Sequence, residues 1–447
     1  MSALPILSAD SSLRPVHAGL TGMNGDTAAG PARSSAPPTA AGATDHIQQG
    51  TPAFRRTAAA LFLAGFSTFG LLYTVQPLLP EFSRHFGVSA ANSALTLSLS
   101  TGLLAVSMLI AGLISDRIGR RGVMVAALLA SSVLSVATAL VDDWSTLLVL
   151  RTLLGIALSG VPAVGMTYLA EEMDSRALGL AMGLYIGGNA IGGMSGRLIA
   201  GIVADHWGWR WGIGVVSVIA LLSTVLLWFQ LPPSRHFQSR RGGLRELPAR
   251  WRSLFADPGL PWLFATAFVL MGVFVTLYNY LGYHLLAPPY GLSQTVVGLI
   301  FSVYLVGTFS SAWMGQQANR HGRSRVLAIC YGLIALGIVL LALPWLGCMA
   351  AGIALVTFGF FGGHSVASSW VGSRAGSMRA EASALYLFAY YLGSSVAGVI
   401  GGVFYTHWDW LGVCGFVGVL TVAGAGIAWR LRRRVQPAAA AALALSR

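Results

Sequence analysis

Two arginines stand inside long apolar runs of this chain, Arg151 and Arg197. On insertion scales a charge at the centre of a membrane-spanning helix costs roughly 2.5–3.5 kcal/mol, so both side chains are expected to face a polar interior rather than lipid. There they could bind an anionic group or tune the acidity of a proton-carrying acid. The alternative is that backbone carbonyl groups and amide side chains hold both guanidinium groups, with Arg197 reaching outward toward water.

Polar side chains at a similar expected depth could serve these arginines. Tyr73 and Gln76 lie three residues apart, on one face of a helix, and Glu81 is the next carboxylate beyond them. Asn189 lies in the same apolar run as Arg197. We therefore assign these four side chains, together with the two arginines, to a substrate or proton pathway.

A proton carrier is harder to assign, because no Asp or Glu lies in the central third of any expected span. His364 is one candidate, since an unperturbed histidine has a pKa of about 6.5. The acids at the ends of the spans are the alternative, if a water-filled vestibule reaches Glu81, Asp116, Glu171 or Glu172. His364 could also be a buried histidine with an ordinary structural role.

Two tyrosines, Tyr278 and Tyr390, lie deep within their apolar runs. They could line a cavity for a hydrophobic or sugar-like solute. Tyrosines near helix ends, by contrast, usually anchor a helix at the membrane interface.

The elements that position all these residues are membrane-spanning helices. The chain has 447 residues, of which 55% are hydrophobic and 10% are charged, and its mean hydropathy is +0.69. About 20 apolar residues cross the hydrocarbon layer as a helix. Twelve such runs are predicted, at residues 57–79, 93–114, 122–141, 145–169, 178–203, 211–231, 260–283, 293–314, 325–346, 348–371, 383–405 and 410–430. The expected fold class is an all-α membrane protein.

The runs fall into two sets of six, which gives the expected domain organisation. Residues 1–54 are predicted to be a disordered cytoplasmic tail, 55–231 a first six-helix bundle, 232–259 a cytoplasmic linker, 260–432 a second bundle and 433–447 a second tail. Five apolar residues of the linker share one helical face: Leu244, Leu247, Trp251, Leu254 and Phe255. They favour a short helix on the membrane surface, unless Pro248 breaks it and leaves a solvated linker.

Arginine placement predicts the orientation. All 28 basic residues are arginine, and one alternate set of loops holds only Arg84 and Arg210 while the other set holds nearly all the rest. The positive-inside rule then places both termini in the cytoplasm of a bacterial-type inner membrane. Nucleic acid is not needed to explain the net charge of +13, because the arginines flank spans and are not gathered on one surface. The three cysteines lie in apolar runs without CxxC spacing, so no disulfide, metal site or cofactor is predicted.

Two strings in the chain occur twice. GLISDRIGRR at residues 112–121 returns 203 residues later, degraded, as GQQANRHGRS, and HWGW at residues 206–209 returns 201 residues later as HWDW. The chain therefore consists of two related halves. Internal repeats of this kind build many secondary transporters, which hold the substrate between the repeats near the middle of the membrane.

The first of these strings resembles the G-x-L-x-D-R-x-G-R-R signature of the major facilitator superfamily. RTLLG at residues 151–155 is similar to the second motif of that superfamily, and GLYIGGNAIGG at residues 183–193 resembles its glycine-rich antiporter motif, with Gly188 where proline is usual. VQPLLP at 75–80, YLAEE at 168–172 and MGLY at 182–185 look like the YnfM-type, acriflavine-sensitivity branch, whose members are assigned to efflux. The resemblance covers residues 55–432 and implies two pseudo-symmetric six-helix bundles that work by alternating access.

The resemblance also implies a role for one group of residues, and glycine spacing favours a role for a second. A gating role falls on the loop residues Gly112, Asp116, Arg117, Gly119, Arg120 and Arg121, although the arginines could merely fix topology. Because the second half has Asn319 where the first has Asp116, such a gating contact would be present in the first half only. Close helix packing where the halves meet is expected of Gly187, Gly188, Gly192 and Gly193, with ordinary packing as the alternative.

The function expected from all of this is proton-coupled efflux of a small organic solute, drug-like or sugar-like, by a monomer embedded in the bilayer. The alternative is an organic-anion exchanger or importer that uses Arg151 and Arg197. A transport-like sensor or a membrane enzyme is a remote third possibility, because the sequence contains no nucleophile motif and no metal-spaced cluster. The expected partners are the solute, protons and lipid, without nucleic acid.

Overall fold

The computed structural model describes residues 46–237 and 247–434. Within these ranges the chain is helical, and the described residues form no β-strand beyond one isolated bridge between Ile47 and Met173. The first half contains α1 Pro52–Tyr73, α2 Leu79–Phe86, α3 Ala90–Ile118, α4 Arg120–Leu140, α5 Trp144–Leu158, α6 Gly165–Glu172, α7 Ser175–Trp207 and α8 Trp209–Gln230. The linker contains α9 Leu247–Ala256. The second half contains α10 Leu260–Leu286, α11 Gln294–Leu299, α12 Tyr304–His321, α13 Arg323–Leu341, α14 Leu346–Arg374 and α15 Arg379–Arg434.

The helices make twelve membrane crossings, as the sequence predicts. In two places a helix does not correspond to one crossing. Ten helical stretches of the described chain are long and apolar enough to span a membrane. The last of them, Gly376–Arg433, has 58 residues and contains two crossings, because Trp408 and Asp409 leave helical geometry and turn the chain. The remaining crossing is α5, extended by α6 after a break at residues 159–164, where Pro162 cannot donate a helical hydrogen bond.

The duplicated strings turn the chain at equivalent positions. Gly119 and its repeat partner Gly322 both have positive φ, 104° and 88°, and each links two successive spans. Gly208 has a φ of 85°, and its repeat partner Asp409 has a φ of 49°. Asp409 thus takes the position of the glycine with a positive φ, and the second half keeps the turn.

Residues 46–54, which were predicted to belong to the tail, are described residues and are folded against the first half. Ile47 N donates to Glu172 O (2.9 Å), and Asp174 N donates to Ile47 O (3.0 Å). Thr51 then caps α1, its hydroxyl accepting from Phe54 N at 3.1 Å. Residues 1–45, 238–246 and 435–447 lie outside the described residues, and with them lie the rest of both predicted tails and part of the linker, including Leu244.

The linker helix is present, and Pro248 does not prevent it. α9 begins at Leu247, which puts Pro248 in its first turn, where proline needs no helical donor. Leu254 is buried, and Phe255 packs edge-on against Phe264 of α10 at 5.8 Å between ring centroids. α9 therefore lies against the second half.

Two of the four glycines expected between the halves, Gly188 and Gly192 of α7, pack inside the first half instead. A Cβ at Gly188 would lie 2.3 Å from Phe62 O, and one at Gly192 would lie 2.1 Å from Phe66 O, both on α1. Gly193 is less tight, with Arg197 Nη1 at 3.3 Å, and Gly187 has no atom within 4 Å. Contact between the halves is made by other glycines, Gly201 of α7 against Gly298 of α11.

We expect Gly192→Ala to destabilise the protein and Gly187→Ala to leave it unchanged. The methyl group at residue 192 would meet backbone atoms of α1, which can move only if the helices separate, and such overpacking costs about 1–3 kcal/mol. The methyl group at residue 187 would enter open space. Thermal denaturation of both detergent-purified variants measures the difference, and equal stability of the two would contradict this packing.

Candidate functional site

Arg151 lies at the centre of the first half with no exposed surface. Its Nε donates to Thr96 O of α3 (3.0 Å), its Nη1 to Leu71 O (3.1 Å) and its Nη2 to Leu72 O (2.7 Å), the last two at the end of α1. Helix carbonyls at a C-terminus have no intrahelical donor and carry partial negative charge. Arg151 thus donates hydrogen bonds to the free carbonyl groups at the end of α1 and joins this end to α3 and α5. Its described contacts leave it no access to a solute.

Arg197 is also buried, 2% exposed, and it does not reach outward to water. Its Nε donates to Gln76 Oε1 (2.6 Å), and its Nη1 donates to Gly193 O (2.6 Å). Its guanidinium carbon lies 4.0 Å from the ring centroid of Tyr73 and 5.0 Å from those of Phe301 and Tyr304. Tyr73 belongs to the first half and the other two rings belong to the second, so the halves enclose this cation together.

Gln76 continues the connection into the second half. Its Nε2 donates to Asn279 Oδ1 of α10 at 2.7 Å, and both residues are 1% exposed. The Nδ2 group of Asn279 is buried without a hydrogen-bond partner among the described residues. Arg197, Gln76 and Asn279 therefore form a buried polar line across the interface, which we call the central line. Sequence reasoning missed Asn279, which carries no motif and could be found only as a lone amide in an apolar run.

A cluster of aromatic side chains in the second half adjoins the central line. Tyr278 donates to or accepts from Thr357 Oγ1 (2.7 Å), and its ring packs on Phe301 at 5.2 Å. His364 and Tyr390 are half-buried, with their ring centroids 4.8 Å apart. The Nδ1 of His364 lies 3.0 Å from the hydroxyl of Tyr386. The three expected residues of this half, Tyr278, His364 and Tyr390, thus belong to one aromatic cluster.

The two ends of the bundle differ. We call the end that contains Pro52 and Arg434 the inner end, and the end that contains Phe86 and Asp205 the outer end. At the outer end Ser83 and Tyr283 of opposite halves share a hydrogen bond (2.6 Å), and Tyr283 donates to Leu79 O (2.7 Å).

Asp205 adds a second outer contact. Its carboxylate accepts from Thr295 Oγ1 (2.6 Å) and from the backbone amides of Thr295 (3.2 Å) and Gln294 (3.3 Å), at the start of α11. A carboxylate is stabilised at a helix N-terminus. Asp205 was not predicted, and the one signal was that it is an acid at the outer end of an apolar run. Glu81 instead pairs with the exposed Arg84 (2.5 Å) in its own helix, away from both buried arginines.

Asn189 lies against α1, where a Cβ at Gly65 would come within 2.2 Å of its Oδ1. It is therefore part of the same helix contact as Gly188 and Gly192, which lie one and three residues from it in α7. No described hydrogen bond connects it to Arg197.

The inner end carries the residues of the duplicated loop, and their contacts stay within the first half. Arg120, 4% exposed, donates to Asp116 Oδ1 (2.6 Å), Glu171 Oε1 (2.8 Å) and Ser115 Oγ (3.1 Å), which joins α3, α4 and α6. Arg121 donates to Trp228 O (2.6 Å), and Arg117 is exposed. Gly112 is open, with no atom within 4 Å of an added Cβ.

The described hydrogen bonds between the halves thus lie at middle depth and at the outer end. Ser395 of α15 donates to Ser98 O of α3 (2.7 Å), and Gln294 donates to Pro77 O. At the inner end the described ion pairs of Arg120 and of Arg374 with Asp257 each stay within one half. The two halves are therefore held together at middle depth and at the outer end by the described hydrogen bonds.

Comparison with known proteins gives concordant results. The model of the Major Facilitator Superfamily matches residues 61–286 and again 282–445. The inner membrane transport protein YnfM of Escherichia coli is 45% identical over 389 residues, which cover 87% of this chain and 93% of that protein. The uncharacterized MFS-type transporter YybF of Bacillus subtilis is also 45% identical, with 88% and 97% covered.

Among solved structures, a bacterial homolog of the human lysosomal transporter Spinster, in an inward-facing and occupied conformation, has a TM-score of 0.70. The alignment covers 85% of this chain and 97% of that one, at 16% identity. The unoccupied inward-facing form gives a TM-score of 0.64. At this identity the likeness concerns the fold.

We expect Arg151→Leu to destabilise the protein strongly, because three buried carbonyls would lose a charged donor. Hydrogen bonds to charged groups contribute about 1.5–3 kcal/mol each, so the loss should exceed about 3 kcal/mol. Arg151→Lys should be intermediate, since an ammonium group cannot match the fork of donors. Thermal unfolding in detergent measures both, with Arg84→Leu as an exposed control. A variant Arg151→Leu as stable as the control would contradict the structural role.

Proposed function

The chain belongs to the major facilitator superfamily and is a secondary transporter that works by alternating access, and from this premise we propose that it exports a small organic solute in exchange for protons. We propose the inner membrane of a bacterium as its site, with both termini cytoplasmic. The arginine-rich loops support this orientation, and so does the inner-membrane assignment in the name of the relative from Escherichia coli.

The chemistry of the interior supports an aromatic or otherwise hydrophobic solute. Tyr390 packs on His364 at 4.8 Å and on Phe360 at 6.3 Å between ring centroids. A hydroxyl group, that of Tyr386, lies 3.0 Å from His364 Nδ1 in the same cluster. Such a surface, apolar with a few convergent polar groups, suits a neutral organic molecule.

Proton coupling is assigned to His364. It is the one histidine at middle depth in the described membrane crossings, and none of these crossings carries Asp or Glu in its central third. Its Nδ1 already has a hydroxyl partner, Tyr386 at 3.0 Å, which can hold the ring in one orientation in either charge state. A histidine that gains a proton beside a bound solute couples the two events through their mutual repulsion or competition for the same space.

The duplicated loop is assigned the gating role. Arg120 holds α3, α4 and α6 together through Asp116 and Glu171 in the form closed at the outer end. In the second half Asn319 replaces Asp116, so no equivalent carboxylate is present at that position. An ion pair present in one form and absent in the other shifts the balance between them by its differential energy.

The alternative is an organic-anion exchanger. One observation favours it, because neither Arg151 nor Arg197 has an acidic partner among the described residues, which leaves the interior positively charged. Against it stands the occupation of both guanidinium groups by protein acceptors and rings.

The test uses everted membrane vesicles with an imposed proton gradient, reported by acridine orange. A panel of hydrophobic drugs, sugars and organic acids is added, and an exported solute should collapse part of the gradient. We expect His364→Asn to abolish this proton release while solute counterflow without a gradient persists at about the wild-type rate. His407→Asn is the matched control, because His407 is exposed at the outer end.

Two outcomes would count against the proposal. Counterflow that is indifferent to the gradient in the wild type would remove proton coupling. Full coupling in His364→Asn would remove His364 as the carrier. Gradient-independent exchange confined to organic acids would favour the alternative.

A further inference from the structure

A groove on the surface of the second half combines arginines and tryptophans with small and apolar residues. It lies at the inner end between the beginning of α10 and the last turns of α15, with a volume of about 650 Å³. Small or apolar residues line the part of the groove toward the membrane centre, and arginine and tryptophan line its mouth at the inner end. The lining residues are Trp262, Ala423, Gly426, Ile427, Trp429, Arg430 and Arg433.

The two arginines of the mouth have no carboxylate partner among the described residues. The guanidinium carbon of Arg430 lies 4.2 Å from the ring centroid of Trp262, and that of Arg433 lies 3.9 Å from Trp429. The Nε group of Arg430 is buried with no hydrogen-bond partner in the described residues. Both cations are thus positioned by rings, and neither guanidinium group has a described hydrogen bond.

The acid closest in sequence to Trp262 is already engaged. Asp257 accepts from Arg374 Nε (2.5 Å) and from the amides of Gly259 and Leu260 (2.8 Å each). Burial by itself raises the pKa of Asp257, but these hydrogen bonds outweigh it and hold the pKa below its ordinary value. Asp257 therefore stays ionised and paired with Arg374.

The part of the groove toward the membrane centre is open and apolar. Gly426 and Arg430 lie four residues apart on one face of α15, and a Cβ added at Gly426 would meet no atom within 4 Å. Ala423 extends this small-residue strip toward the membrane centre. From Ala423 to Arg433 the helix rises about 15 Å, so the strip can accommodate much of an acyl chain below a headgroup at the arginines.

We propose that this groove binds one anionic phospholipid, with its phosphate between Arg430 and Arg433 and one acyl chain along Gly426 and Ala423. The match is one of charge and shape: two unpaired cations at the inner interface, tryptophans at the headgroup level, and an apolar channel that faces the bilayer. Basic pockets at the cytoplasmic side of membrane helices hold such headgroups. The site is separate from the central line and from the proposed solute path.

The test is native mass spectrometry of the full chain, purified in detergent and titrated with phosphatidylglycerol or with phosphatidylcholine of the same acyl chains. We expect one phosphatidylglycerol per chain. The double variant Arg430→Gln/Arg433→Gln should bind it about 30-fold more weakly, at roughly a fivefold loss per arginine. Arg432→Gln, which removes an exposed arginine outside the groove, should bind as the wild type does.

A second variant tests the acyl part and does not alter a charge. Gly426→Leu fills open space, so the protein should fold, and phosphatidylglycerol binding should fall about tenfold, the equivalent of two buried methylene groups. Inorganic phosphate at millimolar concentration should not displace the lipid.

Three results would overturn the proposal. Weakening by Arg432→Gln as large as that by the double variant would mean unspecific attraction to a basic helix end. Phosphatidylcholine binding as tight as that of phosphatidylglycerol would remove the role of the anionic headgroup. An unchanged affinity of Gly426→Leu, together with displacement of the lipid by inorganic phosphate, would mean an anion site that does not recognise lipid.

Discussion

A guanidinium group in the hydrocarbon layer must find its acceptors within the protein, since there is no water to supply them. The chain meets this requirement at two positions that determine its architecture. Arg151 takes the free carbonyls at the end of α1 and so fixes α1, α3 and α5 within one half. Arg197 donates a hydrogen bond to Gln76 and contacts three aromatic rings, two of them from the other half, and so connects the halves. Arg151 thus holds three helices of the first bundle together, and Arg197 joins the two bundles.

The connection that Arg197 makes between the two halves can be broken. It consists of single hydrogen bonds and ring contacts, and it continues outward through Ser83 with Tyr283 and Asp205 with the start of α11. A neutral hydrogen bond such as that of Ser83 with Tyr283 contributes about 0.5–1.5 kcal/mol, and one that involves the charge of Arg197 or Asp205 contributes about 1.5–3 kcal/mol. These few contacts can be lost without loss of the bundles. The glycine contacts of Gly188 and Gly192, by contrast, press α7 against α1 inside one half and have no room to slide.

The architecture followed from the sequence because it depends on composition and repetition. Twelve apolar runs, the arginine asymmetry and the duplicated loop are periodic or statistical signals, and they need no knowledge of which face a residue occupies. The partners of Arg151 could not be found in this way, because they are backbone carbonyls that no side-chain pattern marks. Asn279 and Asp205 were missed because each is a single polar residue whose importance comes from the opposite half. The assignment of the α7 glycines to the wrong interface has the same cause.

The central claim is that the central line of Arg197, Gln76 and Asn279 holds the outer end closed. Electron spin resonance distances test it directly, with Cys330, Cys348 and Cys414 replaced by serine and labels at Arg84 and Val296 for the outer end or at Arg117 and Arg379 for the inner end. If the claim holds, the double variant Gln76→Leu/Asn279→Leu has a longer outer distance and a shorter inner distance than the labelled protein in which Gln76 and Asn279 are unchanged. Unchanged distances at both ends in this double variant would contradict it.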